Sequence, residues 1–411
     1  MSAFINRMMK MEKIYSEGLA HGMKGEMTQP SWPPMTGRDI ATVVSKLEID
    51  RSFFRAGASD ISHKIANELR LLWVSPRPMS AAVIIEIDNK KLFIKRHHCS
   101  VRNYTDIMCE HELIIYLCDH LVNVPFLHHD QDGKTAICQG EFIYEVSDTA
   151  SGIDLYRDRI SWSPYLCTDH SYNAGKALAK LHNVIKGFKG KEREFNVLRN
   201  SVCIIMADDP LAQLKNLMDN RPTLAESVIN NAKSINHFFD RFSEIHLPYI
   251  EKLAQYKQFI RPCYIHGDWH PSNMMWTKAT KDADVTSIFD FNLANLSFFQ
   301  HDIAIAIERS FIDWLYLSDP GVITWDRQGL KAFLAGYSEI AMLHSHDLEL
   351  IADLLPICHF EYGLSEVEYF SHILHQSENA LLAYESYLFG HSKFFYSAAA
   401  IQDEIRNFSV S

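Results

Sequence analysis

The sequence predicts an α+β protein: a small antiparallel β-rich lobe carrying one helix, followed by a larger, mainly helical lobe. Three observations carry this reading. Short runs of β-branched and large apolar residues crowd residues 69 to 146. Apolar residues at helical spacing dominate from about residue 150 onward. The chain has 411 residues, enough to bury two cores. The expected division is an N-terminal extension with linker and helix over 1–60, a β lobe over 61–146 and a helical lobe over 147–411.

The elements follow in order. "MTQPSWPPMTG" holds three prolines among polar neighbours and reads as a linker. "RDIATVVSKLEI" places Ile40, Val43, Val44 and Leu47 on one helical face, and a second helix is expected around "SDISHKIANE". "LRLLWV", "AAVIIEI" and "KLFIKR" read as three antiparallel strands, the last two joined by a tight turn at Asp88-Asn89-Lys90. "TDIMCEHELIIYLCDHL" is helical, with Ile107, Glu110, Leu113, Ile114, Leu117 and Leu121 on one side. A carboxylate on that apolar side requires a partner, because unpaired buried charge is costly. Two more strands surround "GKTAICQGEFIYEV". Farther on, "NAGKALAKLHNVI" and "QGLKAFLAGYSEI" are helical, the latter grouping Leu330, Phe333, Leu334 and Tyr337, and two short β-like pieces, "CYIHG" and "VTSIFDFN", lie between them.

Composition narrows the function classes. A formal net charge of −11 disfavours nonspecific binding to nucleic acid or anionic membranes. No segment reaches the ~18 uninterrupted apolar residues of a membrane span. The N-terminal stretch lacks the apolar core of a secretory signal, and the eight scattered cysteines form no C-x-x-C pair, so reduced thiols and a cytoplasmic location are expected. The 21 histidines fall at spacings that match no metal motif.

Four polar elements stand in a meaningful order. Lys95 is the lysine inside the third strand; a solvent-facing strand end would also explain it. Glu110 lies on the inner face of the next helix; a structural salt bridge would also explain it. A strand lysine with a helix glutamate is a pattern that holds nucleotide phosphates. "YIHGDWHPSNMMW" then sets Asp268 and Asn273 at the D-x-x-x-x-N spacing of a catalytic loop, where an Asp takes a hydroxyl proton and an Asn holds magnesium. Asp290 in "IFDF" ends an apolar strand, and its carboxylate suits the same hard cation.

The stretches "LFIKR", "ALAKLHN", "YIHGDWHPSNMMW" and "SIFDFNLANLSFFQHDIAIAI" resemble the aminoglycoside phosphotransferase and choline kinase superfamily, over roughly residues 60 to 390. The resemblance implies a protein-kinase-like two-lobe fold. It implies Asp268 as catalytic base, Asn273 and Asp290 as magnesium ligands, and Lys95 on the phosphates of ATP or GTP, oriented by Glu110, with Glu112 as second choice. It implies a purine-binding hinge at the backbone of Tyr144, Glu145 and Val146. His182, His266 and Asp302 resemble the family's supports of the loop. Two departures stand out. The strand-to-strand loop "SPRPMS" has no glycine, so Ser75 and Ser80 are the expected phosphate contacts. Asn292 stands where the family often has an acidic residue or glycine.

The implied reaction is magnesium-dependent transfer of a γ-phosphate to a hydroxyl of a small molecule, an aminoglycoside, amino alcohol or sugar. Glu361, Glu366 and Glu368, set among aromatics in "HFEYGLSEVEYF", suit an amine-bearing acceptor, although an amphipathic core helix with solvated glutamates would read the same. The alternatives are a protein or peptide kinase on the same fold, and a nucleotide-binding pseudokinase scaffold.

Overall fold

The computed structural model describes residues 32–48, 69–75, 80–87, 89–157, 159, 163–193, 197–314 and 325–409, with the backbone of two short paired strands, Leu19–Ala20 and Met23–Lys24. The helix expected around "SDISHKIANE" and the centre of the "SPRPMS" loop lie outside the described residues. The chain forms two compact units. One is Met27–Ser151 with Ser287–Phe289; the other is Gly152–Thr286 with Asp290–Ser411 and Met1–Glu26.

The first unit is built on a five-stranded antiparallel sheet. Its spatial order is Arg70–Val74, Ala81–Ile87, Lys90–His98, Phe142–Asp148, Ala136–Gln139. Asn89 in the tight turn adopts φ 65°, which the short Asn side chain tolerates. Period-two alternation sends Ile85, Leu92, Ile94 and Val146 into one core. That core is closed by Ile40, Val43 and Val44 of the helix Gly37–Ser45. The helix foreseen in the N-terminal extension therefore packs on the sheet. Its start is fixed by a reciprocal cap: Asp39 N–H donates to Thr36 Oγ1 at 3.1 Å, and Thr36 N–H donates to the Asp39 carboxylate at 2.9 Å. A smaller core joins Ile107 of the helix Tyr104–Asp119 to Ala136 and Ile143. Leu121, expected on that helix's apolar side, instead follows its end with φ 61° and is exposed.

In the second unit, two helices touch backbone to backbone. A Cβ on Gly175 would stand 2.0 Å from the Phe333 carbonyl oxygen, and one on Gly336 would stand 1.9 Å from that of Tyr172. Only glycine permits this approach of Thr168–Ile185 to Arg327–Ile340. Leu330, Phe333, Leu334 and Tyr337 are buried there, as their spacing predicts. The approach also brings His182 of one helix within 2.9 Å of the Tyr337 hydroxyl of the other. Beyond them, the strand Cys263–Ile265 pairs antiparallel with Asn295–Ser297. Among the described residues, no helix is long and apolar enough to cross a membrane.

Candidate active site

The strand Cys263–Ile265 ends in His266-Gly267-Asp268. Gly267 adopts φ +75°, and a Cβ there would lie 2.3 Å from the Leu293 carbonyl oxygen. The position needs glycine for both conformation and space. The turn exposes two backbone N–H groups inside the protein, and one carboxylate takes both. Asp302 accepts from His266 N–H at 2.8 Å and from Gly267 N–H at 2.9 Å. His182 Nε2 lies 3.0 Å from the same carboxylate. Burial pushes Asp302 up, but these partners outweigh it and hold its carboxyl below the usual range. On the far side, Asn200 donates to the Gly267 carbonyl at 2.7 Å. The helix contact made by two glycines thus fixes His182, His182 fixes Asp302, and Asp302 fixes the loop.

Asp268 follows, more than nine-tenths buried. After it the chain makes a short 3₁₀ turn, Pro271–Asn273, which swings Asn273 back. Asn273 Nδ2 donates to the Asp268 carbonyl at 2.9 Å and to its Oδ2 at 3.1 Å. With Nδ2 so turned, Asn273 Oδ1 is the oxygen left to face a hard cation. Arg309 Nη2 stands 2.8 Å from Asp268 Oδ1, and His270 Nε2 stands 3.5 Å from Oδ2. Burial alone would raise the Asp268 carboxyl; Arg309 and then His270 overcome it, so the group lies well below the ordinary carboxylate range. It is ionised throughout the physiological range.

Asp290 sits at φ 65°, ψ 61°, an uncommon left-handed conformation for a residue other than glycine. Its carboxylate accepts a hydrogen bond from the side chain of Asn292. The Asn292 carbonyl in turn accepts from Arg193 at 2.9 Å. Asn292, the departure from the family pattern, is thus an anchor for Asp290. Phe291 then packs its ring 4.7 Å from that of His266, tying the Asp290 turn to the Asp268 loop.

Lys95, Glu110, Tyr144, Glu145, Val146, Ser75 and Ser80 all belong to the first unit. Lys95 lies opposite Glu145 in the sheet and shares its strand face with His97. Glu145 bonds His97 at 2.8 Å and His111 of the helix Tyr104–Asp119 at 2.9 Å, so this face looks toward the helix that carries Glu110. Glu110 is buried, as its spacing predicts, and takes the Arg102 guanidinium at 2.5 Å. Ser75 N–H donates to the Ala82 carbonyl at 2.8 Å, at the mouth of the loop that Ser80 closes.

The expected hinge needs correction. Phe142–Asp148 is an interior strand, paired with Lys90–His98 on one side and Ala136–Gln139 on the other. Where the second partner ends, the Val146 carbonyl accepts from His128 N–H at 2.8 Å, and Asp148 N–H donates to Phe126 at 2.9 Å. The Tyr144–Val146 backbone is therefore taken up inside the sheet and cannot serve a purine.

Sequence reasoning missed Arg309. It belongs to Phe299–Phe311, a helix buried on every side from Gln300 to Phe311. A charged pair, Glu308-Arg309, inside so apolar a run was the available signal, since buried charges need partners. Glu308 itself lies between His359 at 2.8 Å and His391 at 3.2 Å.

Residues 79–343 match the phosphotransferase enzyme family. No curated protein matches the chain by sequence. Among solved structures, a microcompartment-associated aminopropanol kinase is 14% identical, with TM-score 0.55, over 90% of this chain and 99% of that one. A Plasmodium vivax ethanolamine kinase is 11% identical, with TM-score 0.53, over 86% of this chain and 89% of that one. A choline kinase from Cryptosporidium parvum is 14% identical, with TM-score 0.51, over 89% of this chain and 98% of that one. Likeness at these identities speaks for the fold, a protein-kinase-like α+β fold. With the family match spanning well over half of its length, the chain belongs to the phosphotransferase enzyme family.

Proposed function

We propose that the protein is a magnesium-dependent kinase of a small hydroxylated molecule, transferring the γ-phosphate of ATP or GTP. The observation that carries this reading is Asp268: a buried, ionised carboxylate that accepts from Asn273 Nδ2 at 3.1 Å, while the same nitrogen donates to the Asp268 carbonyl at 2.9 Å, in a loop that Asp302 clamps. The names of the structural neighbours, kinases of aminopropanol, ethanolamine and choline, support a small alcohol as acceptor.

In this reading Asp268 orients the acceptor hydroxyl and takes its proton as the oxygen bonds to the γ-phosphorus and the nucleoside diphosphate leaves. A carboxylate this acidic is a weak base. Phosphoryl transfer has a loose transition state and asks more for alignment and charge than for a strong base. Asn273 Oδ1 and the Asp290 carboxylate are hard oxygen donors, the set that suits magnesium. Bound there, the ion would supply positive charge that offsets the charge of the phosphate oxygens. Lys95 contacts the nucleotide phosphates, Glu110 orients it, and Ser75 and Ser80 add hydroxyl and amide contacts.

The test is transfer of labelled γ-phosphate to amino alcohols, aminoglycosides and sugars. Turnover of at least one acceptor, falling by ~10² to 10⁴ in Asp268→Ala, is the expected result. Full turnover in Asp268→Ala would remove the base from the scheme.

A further inference from the structure

Asp290 keeps its left-handed backbone without being a glycine. Such a conformation persists only where the surrounding structure over-determines it. The residues after it, Phe291–Leu293, form a single 3₁₀ turn. The last carbonyls of a helical turn have no partners within it. One side chain meets them here. Arg193 Nη1 donates to the Asn292 carbonyl at 2.9 Å and to the Ala294 carbonyl at 2.6 Å. Asn292 in turn places its side-chain amide on the Asp290 carboxylate. The guanidinium therefore caps the turn that Asp290 opens.

The same arginine is fastened to the loop of the base. Its backbone N–H donates to Asn295 Oδ1 at 3.2 Å, and its carbonyl accepts from the Arg199 guanidinium. The Asn295 amide donates to the Asn200 carbonyl at 3.1 Å, and the Asn200 amide donates to the carbonyl of Gly267, the residue before Asp268. Asn295 stands opposite Ile265 in the ladder of Asn295–Ser297 with Cys263–Ile265. The chain thus enters the Asp268 loop and leaves the Asp290 turn at one end of one ladder. Arg193 and Asn200, from the connection between the helices Thr168–Ile185 and Pro210–Asn220, brace both beyond that end. Arg193, Asn200 and Asn295 are all buried, where the low dielectric strengthens such bonds.

We propose that Arg193 is a positioning residue of the phosphotransferase site, and that it holds the Asp290 carboxylate in register with Asp268. It acts through the carbonyls of Asn292 and Ala294 rather than on a substrate. The planar guanidinium presents donors in a fixed fork that meets two carbonyls at once; a lysine offers a point charge on a flexible stem. This assignment rests on the phosphotransferase reading, in which Asp290 holds magnesium.

The experiment titrates manganese(II), as a spectroscopic stand-in for magnesium, by electron paramagnetic resonance with a non-hydrolysable ATP analogue present. The chains are the wild type, Arg193→Met, Arg193→Lys, Asn292→Ala and the double variant Asn292→Ala with Arg193→Lys. Calorimetry gives the affinity of the same analogue without metal. Groups that orient a metal ligand are worth ~10- to 100-fold in metal affinity, and a loss of that size is expected in Arg193→Met while metal-free nucleotide affinity holds. Arg193→Lys should fall between that chain and the wild type. Asn292→Ala already breaks the link to the Asp290 carboxylate, so Arg193→Lys should cost less metal affinity on that background than alone. A merely structural arginine would not separate metal binding from nucleotide binding. Wild-type metal affinity in Arg193→Met, parallel losses of metal and of metal-free nucleotide, or fully additive losses in the double variant overturn the proposal. Where Arg193→Met does not fold, Arg193→Lys decides: lowered metal affinity supports the proposal and wild-type affinity overturns it. A wild-type chain that binds no metal beside the nucleotide is a different result: it removes the phosphotransferase reading itself, and the role of Asp290 with it.

Discussion

Replacing Glu366 by Gln exchanges a titrating group for a neutral one of the same shape, and stability should report it. Burial pushes the Glu366 carboxyl up to about 8 from an ordinary 4.5, and Arg309 only partly offsets this. Between those two values the folded chain keeps a proton that the unfolded chain has released. Folding must then take up a proton, so the group's contribution is complete below about pH 4.5 and is lost as pH rises toward 8. Each pH unit in that window costs about 1.4 kcal/mol. At pH 7 the wild type is therefore disfavoured by about 3 kcal/mol relative to a neutral isostere. Glu366→Gln should match the wild type near pH 4.5 and exceed it increasingly at higher pH. The assay is the midpoint of urea unfolding for both chains across pH 4.5 to 8. Parallel profiles would show that the carboxylate is partnered or hydrated, and the argument for a lone buried acid would fail.

Three other substitutions test the construction of the site. Gly267→Ala forces a Cβ to within 2.3 Å of the Leu293 carbonyl at φ +75°, and should cost about 2 kcal/mol or more with loss of turnover; unfolding midpoints and phosphate transfer check it. Asp302→Asn leaves an amide where two backbone N–H groups and His182 meet a carboxylate; a loss of about 2 to 4 kcal/mol is expected, with a fall in kcat larger than any change in the nucleotide-induced thermal shift. Arg309→Met leaves Asp268 buried without its guanidinium, at about 3 to 5 kcal/mol in unfolding free energy, and an unchanged midpoint would mean that the ion pair is not felt.

The parts of the fold written in local pattern were legible. The strands Ala81–Ile87 and Lys90–His98 and the turn between them follow from alternation and an Asn at the left-handed position. Glu110 is buried because helical spacing puts it on the apolar side. The pairing of Asp268 with Asn273 follows from their fixed separation across one short turn. What was not legible depends on distant pairing. The expected hinge failed because strand order, set by long-range contacts, puts Phe142–Asp148 inside the sheet. Arg309 and Asn200 reach the loop from elements far away in sequence, and no spacing announces them. The three glutamates of Phe360–Glu368 look alike in sequence; only the arrival of Ile204, Arg221 and Thr223 separates the two structural ones from Glu366.

The central claim is a magnesium and nucleotide site completed by Asn273 and Asp290 beside Asp268. The most direct measurement is the thermal stability of the wild-type chain and of Asp290→Ala with millimolar ATP or GTP, with and without magnesium. A ligand that binds only the folded chain raises its midpoint. The account predicts a magnesium-dependent rise in the wild type that Asp290→Ala loses. An equal rise in both chains, or none in the wild type, would contradict it.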